Sequence, residues 1–146
     1  MVSTLYTFGY EGQSVESFIS TLKEHAIECL LDVREMPLSR KKGFSKTALR
    51  NHLERNHIKY IHLRDLGSPK ELRNQLKETG NYPLFFEAME DHLSEAEGSI
   101  EEAYQYVIEN VSCLLCFEKY PEQCHRSLVA QKIKERDGNG LTINNL

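Results

Sequence analysis

The segment IECLLDVR, residues 27–34, is almost entirely apolar until it ends in an aspartate and an arginine. A short apolar run of this kind is typical of a β-strand covered on both faces, as in a parallel sheet. The segment VSCLLCF, residues 111–117, has the same character. Two such strands predict an α/β protein, because parallel strands need crossover helices to connect them.

Turn and capping signals place further elements on both sides of these segments. We predict strands at residues 5–8 and 59–63, and a short edge strand within 141–146. Helices are predicted after the N-caps Ser14 and Ser45, and again from about residue 124. Two or three more occupy residues 70–110, broken by Gly80-Asn81-Tyr82-Pro83 and by Gly98, with Ser99 as the next N-cap.

These elements predict one α/β domain over residues 1–146. We expect an open, mostly parallel, Rossmann-like sheet of four to five strands with helices on both faces, in three layers. The composition agrees, since 40% of the 146 residues are hydrophobic and 27% are charged.

The sequence carries no clear signal for secretion or for insertion into a membrane. The N-terminal residues do not resemble a signal peptide, and no apolar run approaches the roughly 20 residues that span a bilayer. We therefore expect a cytoplasmic protein with no membrane partner.

Of the four cysteines, Cys29, Cys113 and Cys116 lie in apolar runs, where a reduced thiol acts as a small hydrophobe. A disulfide framework is therefore not expected.

Charge is unevenly distributed along the chain, although the net charge is −4. Residues 34–50 hold six basic side chains and one acidic one, whereas residues 84–110 hold eight acidic side chains and neither lysine nor arginine. One face could therefore attract anions even though the whole molecule is acidic.

Polar residues follow each of the four central strands. They are Tyr10, Asp32, Arg34, His62 and Glu118. In an open parallel sheet, ligands bind beyond the carboxyl ends of the strands, where helix N-termini point inward. We therefore expect these residues to contribute to one shared ligand site.

The run Cys124-His125-Arg126 at a predicted helix start is the sharpest chemical signal. A helix N-terminus binds anions and favours a thiolate, which makes Cys124 the best candidate for a reactive cysteine. His125 could act as acid or base, and Arg126 could bind a phosphate or carboxylate together with Arg34 and Arg40. The alternative is structural: an inert thiol at a helix start, and an arginine paired with a nearby acid.

A metal site is a weaker interpretation. Cys113-Leu114-Leu115-Cys116 matches C-x-x-C, but residues three apart on a strand face opposite sides of the sheet. Cys116, Cys124 and His125 could instead bind zinc with Glu118 or a distant histidine. Because the sequence offers no second pair of ligands, we expect neither a metal nor another cofactor.

The leading functional hypothesis is an enzyme that acts on a phosphorylated small molecule, a nucleotide or a nucleic-acid end. It would be a thiol- or histidine-dependent hydrolase or transferase with Cys124, His125 and Glu118 as catalytic residues. One alternative is a nucleic-acid-binding module with a basic stripe and a stacking Phe44, although this phenylalanine is better explained as a core residue. The stripe would comprise Arg40, Lys41, Lys42, Lys46 and Arg50. The other alternative is a domain that binds a metabolite without turnover.

A series of short motifs runs in order along almost the whole chain. They are Thr7-x-Gly9-Tyr10, Asp32-Val33-Arg34, Pro37-x-Ser39-Arg40, Gly43-Phe44, Tyr60-x-His62-Leu63, Leu66-Gly67, and Cys116-x-Glu118 followed by Cys124-His125-Arg126. In these motifs the chain resembles the "domain of unknown function 488" family. It departs from the pattern at Arg64, where that family often has proline, and at Ser68, where a second glycine is common. The resemblance implies a compact α/β fold and a shared set of polar residues, but no established reaction.

Overall fold

A five-stranded, all-parallel sheet forms the centre of the computed structural model, which describes residues 3–138 and 140–146. The strand order is β3-β2-β4-β1-β5. The strands are β1 (Thr4–Gly9), β2 (Cys29–Asp32), β3 (Lys59–His62), β4 (Ser112–Cys116) and β5 (Thr142–Asn145). The helices are α1 (Val15–Glu24), α2 (Lys46–Arg55), α3 (Lys70–Thr79), α4 (Tyr82–Ser94), α5 (Glu97–Glu109) and α6 (Arg126–Asp137). The predicted open α/β sheet is confirmed.

Two apolar cores explain why β2 and β4 are apolar on both faces. Leu30 packs with residues of α1 and α2, whereas its neighbour Leu31 packs with residues of α4, α5 and α6. Leu114 and Leu115 of β4 divide between the two cores in the same way. Because successive side chains of a strand point to opposite faces, each central strand must be apolar throughout to serve both helical layers.

The helix starts predicted at Ser14 and Ser45 are confirmed, and the one predicted at Ser99 is wrong. Ser14 caps α1, where its hydroxyl and that of Ser17 form a reciprocal capping box. Ser45 occupies the N-cap position of α2, but its hydroxyl bonds the backbone of Ser39 in the preceding loop. The break predicted at Gly98 with Ser99 as N-cap is absent, because α5 already begins at Glu97. The short spacing between α4 and α5 overrides the local signal at Ser99.

Strand register brings the carboxyl ends of the central strands to one edge of the sheet. Gly9, the last residue of β1, is level with Cys116 at the end of β4, and Asp32 is level with His62 and Leu115. The loops that follow these strands therefore start side by side. No helix in the described part of the chain is long and apolar enough to cross a membrane.

Phe44 anchors the loop between β2 and α2, residues 33–45, which is called the basic loop below. Its side chain is fully buried, with its ring stacked on Tyr10 at 4.5 Å and edge-on to Phe18 at 5.4 Å between centroids. The interpretation of Phe44 as a core residue is therefore confirmed. It cannot stack on a nucleic-acid base unless the loop is displaced.

Candidate functional site

A cavity of about 770 Å³ opens at the carboxyl edge of the sheet. It is lined by residues of the loops after β1, β2 and β4 and by residues of α3 and α4. Six of the residues predicted from sequence line it: Tyr10, Arg34, Arg40, Glu118, Cys124 and His125. The other three, Asp32, His62 and Arg126, lie behind its wall and hold the lining residues in place.

Asp32 holds the Arg34 side chain in place through a buried, bidentate ion pair. Arg34 Nε lies 2.8 Å from Asp32 Oδ1, and Nη2 lies 2.7 Å from Oδ2. Nη1 of the same guanidinium donates to the Phe44 carbonyl at 2.7 Å and to the Tyr10 hydroxyl at 3.4 Å. Arg34 thus touches the cavity while most of its hydrogen bonds go to protein acceptors. Its clearest role is to tie the basic loop to the end of β2.

Tyr60 and His62 complete the support beneath Arg34. The Tyr60 hydroxyl donates to Asp32 Oδ2 at 2.5 Å, and burial, followed by the adjacent Asp32 carboxylate, raises the pKa of Tyr60. The phenol therefore stays protonated and able to donate. His62 Nε2 lies 2.7 Å from the Arg34 carbonyl and holds the backbone after β2. This geometry favours a positioning role for His62, and its contact with a ligand stays a prediction.

Arg126 lies behind the wall of the cavity and bonds mainly to the loop after β4. Its side chain is fully buried, and Nε donates to Thr7 Oγ1 at 3.2 Å. Nη1 contacts Cys116 Sγ at 3.2 Å and the Glu118 carbonyl, and Nη2 donates to the Lys119 carbonyl at 3.2 Å. The loop after β4 therefore wraps around this guanidinium. That Arg126 binds an anion stays a prediction, and its present contacts favour the structural alternative.

Cys116 and Cys124 form a disulfide, and both residues line the cavity. The expectation that these cysteines remain unpaired is wrong, because the loop after β4 folds back and returns Cys124 to the end of the strand. Cys29 and Cys113 are free and buried. Cys113 packs in the core on the α1 and α2 side, so the C-x-x-C residues do not pair, as predicted.

The surroundings of the two sulfurs favour thiolate chemistry when the bond is reduced. The Arg126 backbone N–H, at the start of α6, points to Cys124 Sγ at 3.5 Å, and the Arg126 side chain points to Cys116 Sγ. Hydrogen-bond donors and a helix N-terminus stabilise a thiolate over a thiol. The proximity of Cys124 to a helix start, inferred from sequence, is confirmed.

His125 lies directly beside the Cys124 sulfur. Its Nδ1 is 3.8 Å from Cys124 Sγ, and its Nε2 is 2.7 Å from the Val33 carbonyl. Because a carbonyl only accepts, Nε2 carries the proton and Nδ1 presents its lone pair to the sulfur. Burial lowers the pKa of His125 to about 4, so the ring is neutral near pH 7.

Glu118 places a carboxylate beside the other sulfur. Its Oε2 lies 3.7 Å from Cys116 Sγ. Burial raises the pKa of Glu118, and the nearby Arg126 charge only partly opposes that effect. The side chain is therefore better able to hold a proton than an exposed glutamate.

Three further cations line the cavity together with the acidic Glu35. Arg40 projects from the basic loop, and Arg73 and Lys77 project from α3. Arg73 is committed to Glu35, at 3.0 Å, and to the Ser68 carbonyl. Arg40 and Lys77 are therefore the cations best placed for an anionic ligand. Sequence analysis missed Arg73 and Lys77, because a helical charge pattern does not show which loop the helix lies against.

Exposed apolar side chains also line the cavity. Leu38 is 69% exposed and Phe117 is 47% exposed, which is unusual for large apolar residues of a small domain. Both line the cavity, as do Met36, Leu76 and Tyr82. A ligand that fits here would combine an anionic group with an apolar part.

Thiol labelling should separate the two pairs of cysteines. Without reductant, the native chain is expected to take up no iodoacetamide; after mild reduction, only Cys116 and Cys124 should react. Burial raises the pKa of Cys29 to about 11 and also raises that of Cys113, so neither forms the reactive thiolate. Peptide mass spectrometry gives the sites, and the urea-unfolded, reduced chain is the control with all four labelled. Label on Cys29 or Cys113 in the folded chain would contradict this assignment.

Comparison with known proteins gives one match. The family model described as "Domain of unknown function DUF488" matches residues 14–133. No curated protein and no solved structure matches the chain. The matched region contains the buried Asp32–Arg34 pair and the two cysteines of the cavity. Since the family model covers well over half of its length, the chain belongs to the DUF488 family.

Proposed function

We propose that the protein is a thiol-dependent enzyme that acts on a small substrate carrying a phosphate-type anionic group. The observation that carries this proposal is a cysteine pair, at the N-terminal end of α6, that lines a cavity with cationic side chains. A cavity of about 770 Å³ is within the size range of small-molecule sites. Arg40 and Lys77 would bind the anion.

The cysteine pair must be reduced before it can act as a nucleophile. An external thiol or dithiol supplies the two electrons, and each sulfur gains a proton or remains a thiolate. Cys124 Sγ then has a neutral imidazole nitrogen at 3.8 Å that can accept its proton. The helix N-terminus and the Arg126 backbone N–H stabilise the resulting thiolate.

The reaction class that follows is hydrolysis or group transfer through a covalent intermediate. Cys124 Sγ bonds to an electrophilic atom of the substrate while that atom's bond to its leaving group breaks. Glu118, whose pKa is raised by burial, would act as the acid that protonates the leaving group. Water or an acceptor molecule then displaces the sulfur and restores the thiolate.

Anion binding is tested by protection from alkylation. With the chain reduced and a chelator present, inorganic phosphate or adenosine monophosphate should slow the reaction of Cys124 with iodoacetamide. The Arg40→Ala, Lys77→Ala double variant should need at least about a hundredfold more of the anion, since each of the two charged hydrogen bonds contributes about 1.5–3 kcal/mol. Lys134→Ala, at the far end of α6, is the matched control and should behave as the unaltered chain. No protection by either anion would overturn the proposal.

Catalysis is tested by trapping. The reduced chain is incubated with nucleoside phosphates and sugar phosphates, quenched in acid, and analysed by mass spectrometry for product and for an adduct on Cys124. Cys124→Ser should abolish both. Protection without product or adduct would leave a domain that binds a metabolite without turnover. A nucleic-acid-binding module would instead be indicated if duplex DNA protected Cys124 better than mononucleotide did and if this protection fell steeply as salt was added.

A further inference from the structure

The two sulfurs of the cavity lie within a larger group of metal-ligating atoms. Cys116 Sγ, Cys124 Sγ and a carboxylate oxygen of Glu118 all lie within 4.8 Å of one another. A fourth donor stands beside them, since His125 Nδ1 is 3.8 Å from Cys124 Sγ. Two thiolates, a carboxylate and an imidazole are donors that zinc accepts in proteins.

We propose that the reduced chain binds one divalent thiophilic metal ion, such as zinc, through Cys116, Glu118 and Cys124, with His125 Nδ1 as the fourth ligand. Reduction of the disulfide by a dithiol supplies two electrons and two protons, and the metal ion then displaces the thiol protons. The sequence alone predicted no metal here, because its ligands do not occur in two matched pairs. The fold brings these ligands together although their spacing in the sequence does not indicate a metal site.

Two distances within the group match those between neighbouring ligands of a tetrahedral ion. Zn–S bonds of about 2.3 Å and Zn–N or Zn–O bonds of about 2.0–2.1 Å place neighbouring ligand atoms about 3.5–3.8 Å apart. Glu118 Oε2 is 3.7 Å from Cys116 Sγ, and His125 Nδ1 is 3.8 Å from Cys124 Sγ. On metal binding the sulfurs, once freed from each other, must move apart, and the His125 ring must move closer to the other ligands, since only Cys116, Glu118 and Cys124 lie within 4.8 Å of one another.

The groups around these ligands resemble those that support bound metals. The outer nitrogen of His125 bonds the Val33 carbonyl at 2.7 Å, which fixes the ring and leaves Nδ1 as the ligating atom. Both sulfurs face N–H donors of Arg126, at 3.2 Å for Cys116 and 3.5 Å for Cys124. Such outer contacts orient ligands and stabilise thiolates.

Charge also favours an ion in the reduced state. Two thiolates and the Glu118 carboxylate would place three negative charges in a largely buried group next to the Arg126 guanidinium. A divalent ion together with that guanidinium balances them. Burying uncompensated charge is costly, so the reduced group must take up either protons or a cation.

Metal binding does not depend on the proposed enzymatic function, but it involves the same sulfurs. While the ion is bound, neither sulfur is free to act as a nucleophile, so the metal-bound and thiol-active chains would be alternative states of one site. The phosphate-protection assay contains a chelator and the metal assay contains no phosphate. Failure of one proposal is therefore distinguishable from failure of the other.

The test uses the full chain, reduced with a phosphine that does not itself act as a thiolate ligand, and titrated with Co²⁺ alone. One equivalent should give the sulfur-to-cobalt charge-transfer band and the intense d–d bands of a tetrahedral site, and Zn²⁺ should displace it. The oxidised chain is the matched control, because it has the same residues with both sulfurs blocked, and it should give no such bands. Cys116→Ser and Cys124→Ser should lose the charge-transfer intensity, and Glu118→Gln and His125→Gln should weaken binding at least about tenfold.

A measurement on the unaltered chain keeps the test independent of how the variants fold. X-ray absorption of the zinc-loaded, reduced chain should show two sulfur ligands at about 2.3 Å and two nitrogen or oxygen ligands at about 2.0–2.1 Å. An ion bound only by oxygen and nitrogen ligands, or equal binding by the oxidised chain, would overturn the proposal. So would the absence of stoichiometric cobalt binding to the reduced chain.

Discussion

Replacing Gly9 by alanine is expected to destabilise the chain by about 4 kcal/mol or more, or to prevent folding. A Cβ at this position would overlap the Glu118 carbonyl and lie 2.9 Å from Arg126 Nη1. The loop after β4 crosses directly over the end of β1 here, where Tyr10 N donates to the Cys116 carbonyl at 3.1 Å. The loop would have to move away from β1, and the Arg126 guanidinium would lose the Glu118 carbonyl as an acceptor.

Gly98→Ala is the matched control for that substitution. Gly98 lies in the first turn of α5, and a Cβ there meets no atom within 4 Å. Alanine is the better helix former, so the change should be neutral or stabilising by up to about 1 kcal/mol. Urea unfolding followed by circular dichroism gives both values. If the two substitutions lowered the free energy of unfolding equally, the crossing of the loop over β1 would not be the reason that glycine is needed at position 9.

Asp32→Ala should cost about 3–5 kcal/mol, the usual penalty for removing one partner of a buried ion pair. The Asp32 carboxylate accepts hydrogen bonds from the Arg34 side chain, the Arg34 backbone N–H and the Tyr60 hydroxyl. Its removal leaves a buried guanidinium without its counter-charge. The basic loop that carries Arg40 should loosen, since Arg34 ties that loop to the sheet.

Glu90→Ala provides the comparison for Asp32→Ala. Glu90 pairs with Lys132 at 2.7 Å, but its side chain is 54% exposed. An exposed pair contributes about 1 kcal/mol or less, because water and salt screen it. Unfolding free energies from urea titration should therefore separate the two variants by at least about 2 kcal/mol. A loss at Asp32 no larger than that at Glu90 would rule out the structural role assigned to the buried pair.

Several features of the candidate site could be predicted because they follow from sheet geometry. Tyr10, Arg34 and Glu118 come soon after different strands, and parallel strands end at the same edge. Cys124 and His125 precede a helix whose N-terminus faces that edge. Their meeting around one cavity therefore required only the strand assignments and the rule for parallel sheets.

The roles of the arginines could not be predicted in the same way. Arg126 has Thr7 and the Glu118 and Lys119 carbonyls as acceptors, and these come from opposite ends of the chain. Asp32, two residues from Arg34, was a visible signal for the buried pair, but spacing alone could not distinguish it from a ligand-binding arginine. Whether a guanidinium binds the protein or a ligand depends on the acceptors around it, which only the folded backbone sets.

The sequence by itself determined the parallel sheet, its two helical layers and the edge at which the polar residues gather, because strand burial and helix starts leave local patterns of apolar and capping residues. Only the tertiary structure decided that Cys116 meets Cys124, that α3 brings Lys77 to the cavity, and that Arg126 faces inward. These contacts join residues whose separation along the chain carries no periodic signal. They depend on how a loop folds back over a strand end, which is settled by packing and by the carbonyl groups available there.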